Sequence, residues 1–208
     1  MNAATITRQS KSNLALAFVC LGRERKLDIT VFYAFCRVID DIADSSELSV
    51  VEKRVRLAKW RQMLHDTTHD EPRLARDVRQ LIAKYSLPPD MLEEIIAGVE
   101  MDLSTLRYST FEELRIYCYR VASAVGLVSI EIFGYRNQGC KQYAIELGLA
   151  LQMTNIIRGG IPGTAMPAWL ADYGGPLTDQ EIAALVTYIR SWEPTAPSRP
   201  DWRTPSGG

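Results

Sequence analysis

Apolar residues recur at helical spacing through the first three quarters of the chain, and this pattern constrains the fold more than any other feature. They stand three or four positions apart in successive segments, for example at Val31, Phe35, Val38 and Ile42. Strand-like alternation is scarce, and prolines, glycines and capping residues fall where helix ends are expected. The sequence therefore predicts an all-α fold whose helices lie near 10–22, 27–44, 48–66, 73–86, 88–104, 110–134 and 138–158.

The helical pattern stops at Arg158, and the composition changes at the same point. Seven of the 13 glycines and seven of the 10 prolines follow it. Thr178, followed by acidic residues, predicts the N-cap of one short helix that ends near Trp192. We therefore expect a helical domain over 1–158, a separate segment over 159–192 and a disordered tail over 193–208.

Charge and cysteine usage exclude several classes of protein. With a formal net charge of -1, the chain lacks the excess of basic residues that binding to nucleic acid requires. None of the four cysteines forms a C-x-x-C pair, so neither a disulfide framework nor a thiolate metal site is indicated. The N-terminus has no apolar signal region, and no uninterrupted apolar run reaches about 18 residues. We expect a cytoplasmic protein, with peripheral contact to a membrane left open.

The chemistry concentrates in the stretch FYAFCRVIDDIADSS. Asp40 and Asp44 are four residues apart and so share one face of a helix, whereas Asp41 points toward Arg37. Because two like charges repel, a compensating cation is expected, and Mg²⁺ takes carboxylate oxygens and is commonly completed by substrate phosphates. The alternative is a solvated acidic helix end without a ligand.

Five stretches together resemble the squalene/phytoene synthase family. The resemblance implies an isoprenoid-synthase-type helical fold that uses Mg²⁺ to join two farnesyl or geranylgeranyl diphosphates head to head. The product would be squalene, presqualene diphosphate or phytoene, and NADPH would be needed only for squalene. The stretches are SKSN (10–13), FYAFCRVIDDIAD (32–44), VEMDL (99–103), FEELRIYCYRVASAVGL (111–127) and LGLALQMTNIIR (147–158).

The same resemblance implies roles for single residues. Asp40 and Asp44 would hold the metal, and Tyr33, Arg37 and Tyr117 would be catalytic. The prenyl diphosphate substrate would be bound by Ser10, Ser12, Gln152, Asn155 and Arg158. The alternative for a serine is a helix cap, and for a tyrosine a core position with a bonded hydroxyl. For Glu100 and Asp102 we expect structural salt bridges.

The family pattern breaks directly after Arg158. A second D-x-x-x-D motif would follow there, but this chain has Gly159 and Gly163, neither of which can ligate a metal. Half of the expected metal cage is therefore missing, and we expect impaired condensation. The missing helices would also leave an apolar cavity wall exposed, which predicts aggregation or dimerisation, although the oligomeric state is not determined by the sequence.

The segment after Arg158 resembles the C-terminal part of a class I cytochrome c. Met166 would lie in the loop of the axial methionine, and Leu177–Trp192 would be the terminal helix. No haem is expected, because the chain has no C-x-x-C-H. The change of resemblance predicts a junction at 158/159, either a natural fusion or a sequence error. Three alternatives follow, namely an impaired synthase, a non-catalytic chimeric or truncated fragment, and a haem electron carrier.

Overall fold

The protein is described by a computed structural model over residues 21–104, 108–160 and 167–191. Ser10, Ser12, Gly163 and Met166 lie outside the described residues, as do most of the first expected helix and the whole of 193–208. The chain divides into two compact units, Met1–Gln152 and Met153–Gly208. Each unit is described by itself.

The described residues are helical, as the apolar spacing predicts. The α-helices run as α1 Arg23–Asp44, α2 Val50–His65, α3 Arg73–Tyr85, α4 Pro89–Asp102, α5 Phe111–Cys118, α6 Ala124–Phe133, α7 Gly139–Gly159 and α8 Asp179–Ser191. A π-helical turn, Tyr119–Ser123, joins α5 to α6, and Ala171–Tyr173 forms a 3₁₀ turn. Within the described ranges, extended pairing is limited to one isolated bridge between Leu170 and Leu177.

Local chemistry fixes the helix ends. Ser49 and Glu52 form a reciprocal capping box that starts α2, and the Thr110 side chain accepts from the Glu113 amide to start α5. In both cases a side-chain oxygen accepts a hydrogen bond from an amide group that has no partner within the helix. The residue that follows α3 is its C-cap Ser86, whose φ of 49° places it in the left-handed region.

The core of the first unit is built on α1, α2, α4 and α6. Phe35 is fully buried and meets Trp60 edge to face, with 5.8 Å between the ring centroids. Burying a side chain of this size contributes about 1.5–3 kcal/mol. The largest fully buried side chains include Phe32, Phe35, Ile39, Leu57, Leu92, Ile96, Leu127 and Ile132. These contacts bury one face of α1, the helix that carries the acidic motif.

The π turn lies between two close glycine contacts. A Cβ at Gly98 would approach the Arg120 Cβ to 2.8 Å, and one at Gly148 would approach the Ser123 Cα to 2.6 Å. Both α4 and α7 can therefore press against the π turn only because these positions lack side chains. The buried Ser123 hydroxyl also donates to the Ile145 carbonyl at 2.7 Å. The expected single helix over 110–134 thus contains a widened turn, a feature common near functional sites.

The continuous helical stretch Phe111–Phe133 is long and apolar enough, by length and composition alone, to cross a membrane. It was the one such stretch found in the described part of the chain. The core helix of a soluble protein meets the same test. Here Cys118, Leu127, Val128 and Ile132 are buried within the first unit. The stretch is therefore weak evidence for a membrane span.

The second unit has its own small core. It is formed by Ile157, Leu170, Ile182 and Val186, with Leu177, Leu185 and Ile189 packed against it. The main chain adds bonds from the Trp169 amide to the Ile157 carbonyl and from the Leu177 amide to the Trp169 carbonyl. The expected N-cap is present, since Thr178 and Glu181 bond reciprocally and α8 begins at Asp179.

Candidate functional site

Asp40 and Asp44 lie in the last two turns of α1. The opposite face of this helix buries Phe35, Ile39 and Ile42, so packing of the apolar residues turns the two carboxylates outward. Both side chains are exposed to solvent. The i, i+4 spacing predicted from the sequence therefore produces a pair of like charges on one exposed face.

Asp40 is nevertheless not in an ordinary surface environment. Desolvation, and after it the charge of Asp44, raise the pKa of Asp40 from 3.8 to about 6, while the charge of Arg37 opposes the shift. The side chain is thus accessible to water, while surrounding protein atoms still partly desolvate its carboxylate. The shift means that the negative charge at this position is incompletely compensated by the protein itself.

A third carboxylate, Asp102, belongs to the same cluster. Its charge acts on Asp40, and desolvation together with the charge of Asp44 raises its own pKa. Asp102 accepts a hydrogen bond from the Tyr117 hydroxyl, and among the described residues it has no ion pair. The expected salt bridge is found for Glu100, which binds Arg61 at 2.9 Å, but not for Asp102. We call Asp40, Asp44 and Asp102 the acidic cluster.

Two tyrosines border the acidic cluster. The rings of Tyr108 and Tyr117 are 5.2 Å apart and tilted, and burial followed by the charge of Asp102 raises the pKa of each phenol far above its ordinary value. Tyr117 is therefore a neutral hydroxyl at physiological pH. Neither Asp102 nor Tyr108 was a predicted site residue. The signal that could have found Asp102 is its polar position at the end of the apolar helix α4, inside the stretch VEMDL that contributes to the family resemblance.

Arg37 and Tyr33 lie on the same helix as the acid pair. Arg37 forms the predicted i, i+4 ion pair with Asp41 at 2.6 Å, with both side chains about half exposed. Tyr33 lies one turn before Arg37 and is partly buried. The charges of Arg37 and Asp44 both act on Asp40, and Tyr117 is connected to this group through its hydrogen bond to Asp102. The catalytic roles of Tyr33, Arg37 and Tyr117 stay predictions.

The three predicted substrate contacts on α7 are divided between the units. Gln152 is the last residue of the first unit, whereas Asn155 and Arg158 belong to the second. Asn155 is exposed. Arg158 forms an ion pair with Asp179 at 2.8 Å, which joins the end of α7 to the start of α8. Diphosphate binding by these residues stays a prediction.

The acidic cluster suits a hard divalent cation in its chemistry. All three side chains are carboxylates, and Mg²⁺ prefers oxygen ligands. Within the described residues, no group of three or more His, Cys, Asp or Glu side chains is arranged to hold a metal ion alone. A site that offers only one or two carboxylates fits the usual Mg²⁺ arrangement, in which water and substrate phosphates complete the shell.

Comparison with known proteins agrees with this architecture. The family model described as squalene/phytoene synthase matches residues 7–160. The presqualene diphosphate synthase of Rhodopseudomonas palustris is 38% identical over 190 residues, which cover 86% of this chain and 67% of that protein. A phytoene synthase of Mycobacterium bovis is 32% identical over 154 residues, which cover 74% and 51% of the two chains.

Solved structures show the same fold. A squalene synthase from Alicyclobacillus acidocaldarius superposes with a TM-score of 0.65 at 23% identity, covering 88% of this chain and 70% of that one. The matches to this structure and to the Rhodopseudomonas protein cover 88% and 86% of this chain, whereas residues 1–158 make up only about three quarters of it. Both matches therefore extend beyond Arg158, into the segment whose sequence resembles a cytochrome c. The matched region covers between 36% and 62% of the length of phytoene synthases from several organisms, so the chain spans only part of these relatives.

Proposed function

The chain belongs to the squalene/phytoene synthase family, and from this premise we propose that it binds a prenyl diphosphate at the acidic cluster without completing the condensation. Relatives in the family are named as phytoene and presqualene diphosphate synthases, so head-to-head prenyl condensation is the activity at family level. The substrate would be farnesyl or geranylgeranyl diphosphate. The observation that carries the proposal is the arrangement of Asp40 and Asp44 one turn apart on the exposed face of α1, with their charge only partly compensated by Arg37 and the pKa of Asp40 raised to about 6.

Within this proposal, Asp40 and Asp44 hold Mg²⁺, and the charge of Asp102 adds to the negative potential that attracts the ion. The bound ion would stabilise the charge that develops on the leaving diphosphate. Arg37 supplies a guanidinium whose fork suits phosphate oxygens, and Asp41 holds it on α1 at 2.6 Å. Tyr117, kept as a neutral phenol beside Asp102, offers an aromatic face that can stabilise a carbocation.

The impairment rests on the missing second acid pair. Gly159 stands where the family pattern has its next aspartate, and a Cβ there would meet nothing within 4 Å. The position has space for a side chain but supplies no ligand. We therefore expect diphosphate binding that is weak and dependent on Mg²⁺, with negligible product.

Isothermal titration of the full chain with farnesyl diphosphate tests the binding half of the proposal. We expect heat of binding with Mg²⁺ present, none with EDTA, and loss of binding in Asp40→Asn. Asp70→Asn is the matched control, because Asp70 is exposed, distant in sequence and held at a φ of 60° that asparagine also adopts. Equal binding by Asp40→Asn and Asp70→Asn would refute a site at the acidic cluster.

A second candidate is a non-catalytic chimeric or truncated fragment. The observation in its favour is that Met153–Gly208 forms a compact unit with a core of its own. Sequencing the source DNA across the codons for Arg158 and Gly159 tests this candidate. An open frame that continues into a D-x-x-x-D motif would assign the present segment to a sequence error, whereas an unchanged sequence would support a natural fusion.

A further inference from the structure

The π turn between α5 and α6 changes the direction in which the residues before it face. The Ala124 amide, directly after the turn, donates to the carbonyl of Tyr119, which lies five residues earlier instead of four. One residue is thereby added to this turn of the helix. Because each residue of an α-helix advances about 100° around the axis, α5 is rotated by about that angle relative to an uninterrupted helix. The π turn therefore sets the direction of the α5 side chains relative to the core face of α6.

Tyr117 is the side chain that this rotation brings to the acidic cluster. In an uninterrupted helix, Tyr117 would share a face with Ala124 and Val128, because separations of seven and eleven residues are both close to whole numbers of turns. Ala124 and Val128 are fully buried in the core of the first unit. Tyr117 is instead partly buried, and its hydroxyl donates to Asp102. The π turn thus takes Tyr117 off the core face.

Arg120, within the π turn, is bonded to the helix that ends at Asp102. Its Nε donates to the Glu94 carboxylate at 2.7 Å, and its Nη1 donates to the Met101 sulfur at 3.6 Å. The two helices are also close between these bonds, since a Cβ at Gly98 would lie 2.8 Å from the Arg120 Cβ. Glu94, Gly98 and Met101 are four and three residues apart and so follow one face of α4. Arg120 thus contacts the last two turns of α4 before Asp102.

The bonds of Arg120 provide direction more than stability. In its ion pair with Glu94 the two side chains are 31% and 32% exposed, and ion pairs that are open to solvent contribute little to the free energy of folding. Two acceptors at different places along α4 instead fix the position of a planar guanidinium, whereas the single ammonium of a lysine would be fixed by neither. Arg120 therefore determines where the π turn lies along α4.

We propose that Arg120 is a positioning residue, which holds the π turn on α4 at the place where the Tyr117 hydroxyl reaches Asp102. This role rests on the proposed function, in which the ring of Tyr117 stabilises a carbocation beside the acidic cluster. The alternative is that Arg120 only joins two helices. That alternative predicts a loss of stability on substitution without any movement of Tyr117, so the two roles are separable by experiment.

Fluorine NMR of the full chain, labelled with 3-fluorotyrosine, follows the Tyr117 ring directly. Tyr117→Phe identifies its resonance among those of the nine tyrosines, and Asp102→Ala marks the position of that resonance without the hydrogen bond. We expect Arg120→Gln to move the Tyr117 resonance at least halfway to this position. Glu94→Gln removes the other partner of the ion pair and should have the same effect, so the test is decided even where one variant fails to fold.

The matched control is Arg61→Gln. Arg61 also binds α4, through Glu100 at 2.9 Å, and its side chain is 32% exposed, close to the value for Arg120. We expect Arg61→Gln and Arg120→Gln to lower the melting temperature by similar amounts, because each breaks a partly exposed ion pair on the same helix. Only Arg120→Gln should move the Tyr117 resonance. Circular dichroism checks that each variant is folded.

Farnesyl diphosphate and Mg²⁺ added to the same samples test the proposed function separately. We expect a further shift of the Tyr117 resonance in the unmodified chain, and a smaller one in Arg120→Gln. Absence of any shift on addition would count against the proposed function, while the comparison of the substrate-free variants would still decide the role of Arg120. Two results would overturn that role, namely an unmoved Tyr117 resonance in folded Arg120→Gln and an equal movement in the Arg61→Gln control.

Discussion

Replacing Asp40 by asparagine should stabilise the metal-free protein at neutral pH. Desolvation and the charge of Asp44 raise the pKa of Asp40 from 3.8 to about 6, so the folded state disfavours its ionised form. A shift of that size corresponds to about 3 kcal/mol without screening. Because the side chain is exposed, solvent screening reduces this to about 1 kcal/mol. Asparagine removes the charge and has a helix propensity similar to that of aspartate.

The direction of the pH dependence follows from linkage. A carboxyl whose pKa is raised on folding binds more protons in the native state, so its contribution to stability is complete below about pH 4 and is lost as pH rises through about 6. The advantage of Asp40→Asn should therefore be close to zero at pH 4 and reach about 1 kcal/mol above pH 7. That difference corresponds to a melting temperature roughly 2–4 °C higher.

Thermal and urea unfolding in EDTA, at several pH values, measure this difference. Asp41→Asn is the matched control, because Asp41 is the neighbouring acid and its exposed ion pair with Arg37 contributes at most about 1 kcal/mol. We expect no gain from it. Added Mg²⁺ should stabilise the unmodified chain more than Asp40→Asn. A lower stability of Asp40→Asn at pH 7 in EDTA, or a gain independent of pH, would refute the reasoning.

Four other substitutions test the packing, the helix cap and the electrostatics of the described residues. Gly148→Ala places a Cβ 2.6 Å from the Ser123 Cα and should lower the free energy of unfolding in urea by about 1–3 kcal/mol. Gly159→Ala is the control, because a Cβ there meets nothing within 4 Å and should not destabilise the chain. Equal effects of the two substitutions would contradict the close approach of α7 to the π turn. Thr178→Ala removes the capping box of α8 and should lower the stability of that helix by about 1 kcal/mol. The loss should appear as faster amide hydrogen exchange in 179–191, and unchanged exchange would contradict this prediction. Asp102→Asn should lower the pKa of Tyr117 in an ultraviolet titration, because a negative charge beside the phenol is removed; an unchanged titration would place Asp102 elsewhere.

The sequence predicts most of the fold because helix formation here depends on local signals. The apolar spacing and the caps at Ser49, Thr110 and Thr178 set the described helix ends within a few residues. The π turn was not predicted, since it depends on α4 and α7 meeting the same turn through Gly98 and Gly148. That contact joins residues far apart in the chain and leaves no periodic pattern.

The candidate site was predictable to the extent that it lies on one helix. The Asp40–Asp44 pair and the Arg37–Asp41 ion pair follow from spacing along α1. Asp102 was assigned a salt bridge instead, because its place beside Asp44 depends on how α4 packs against α1. The ion pair of Arg158 with Asp179 was likewise not predicted, as it joins two helices across a loop.

Incubation of the full chain with labelled farnesyl or geranylgeranyl diphosphate and Mg²⁺ tests the central claim most directly. The parallel sample is a variant that restores the second acid pair, Gly159→Asp with Gly163→Asp. We predict that the unmodified chain binds the substrate but forms negligible head-to-head product. Sustained turnover by the unmodified chain, at a rate that the added acids do not change, would contradict the claim that the missing pair limits the reaction.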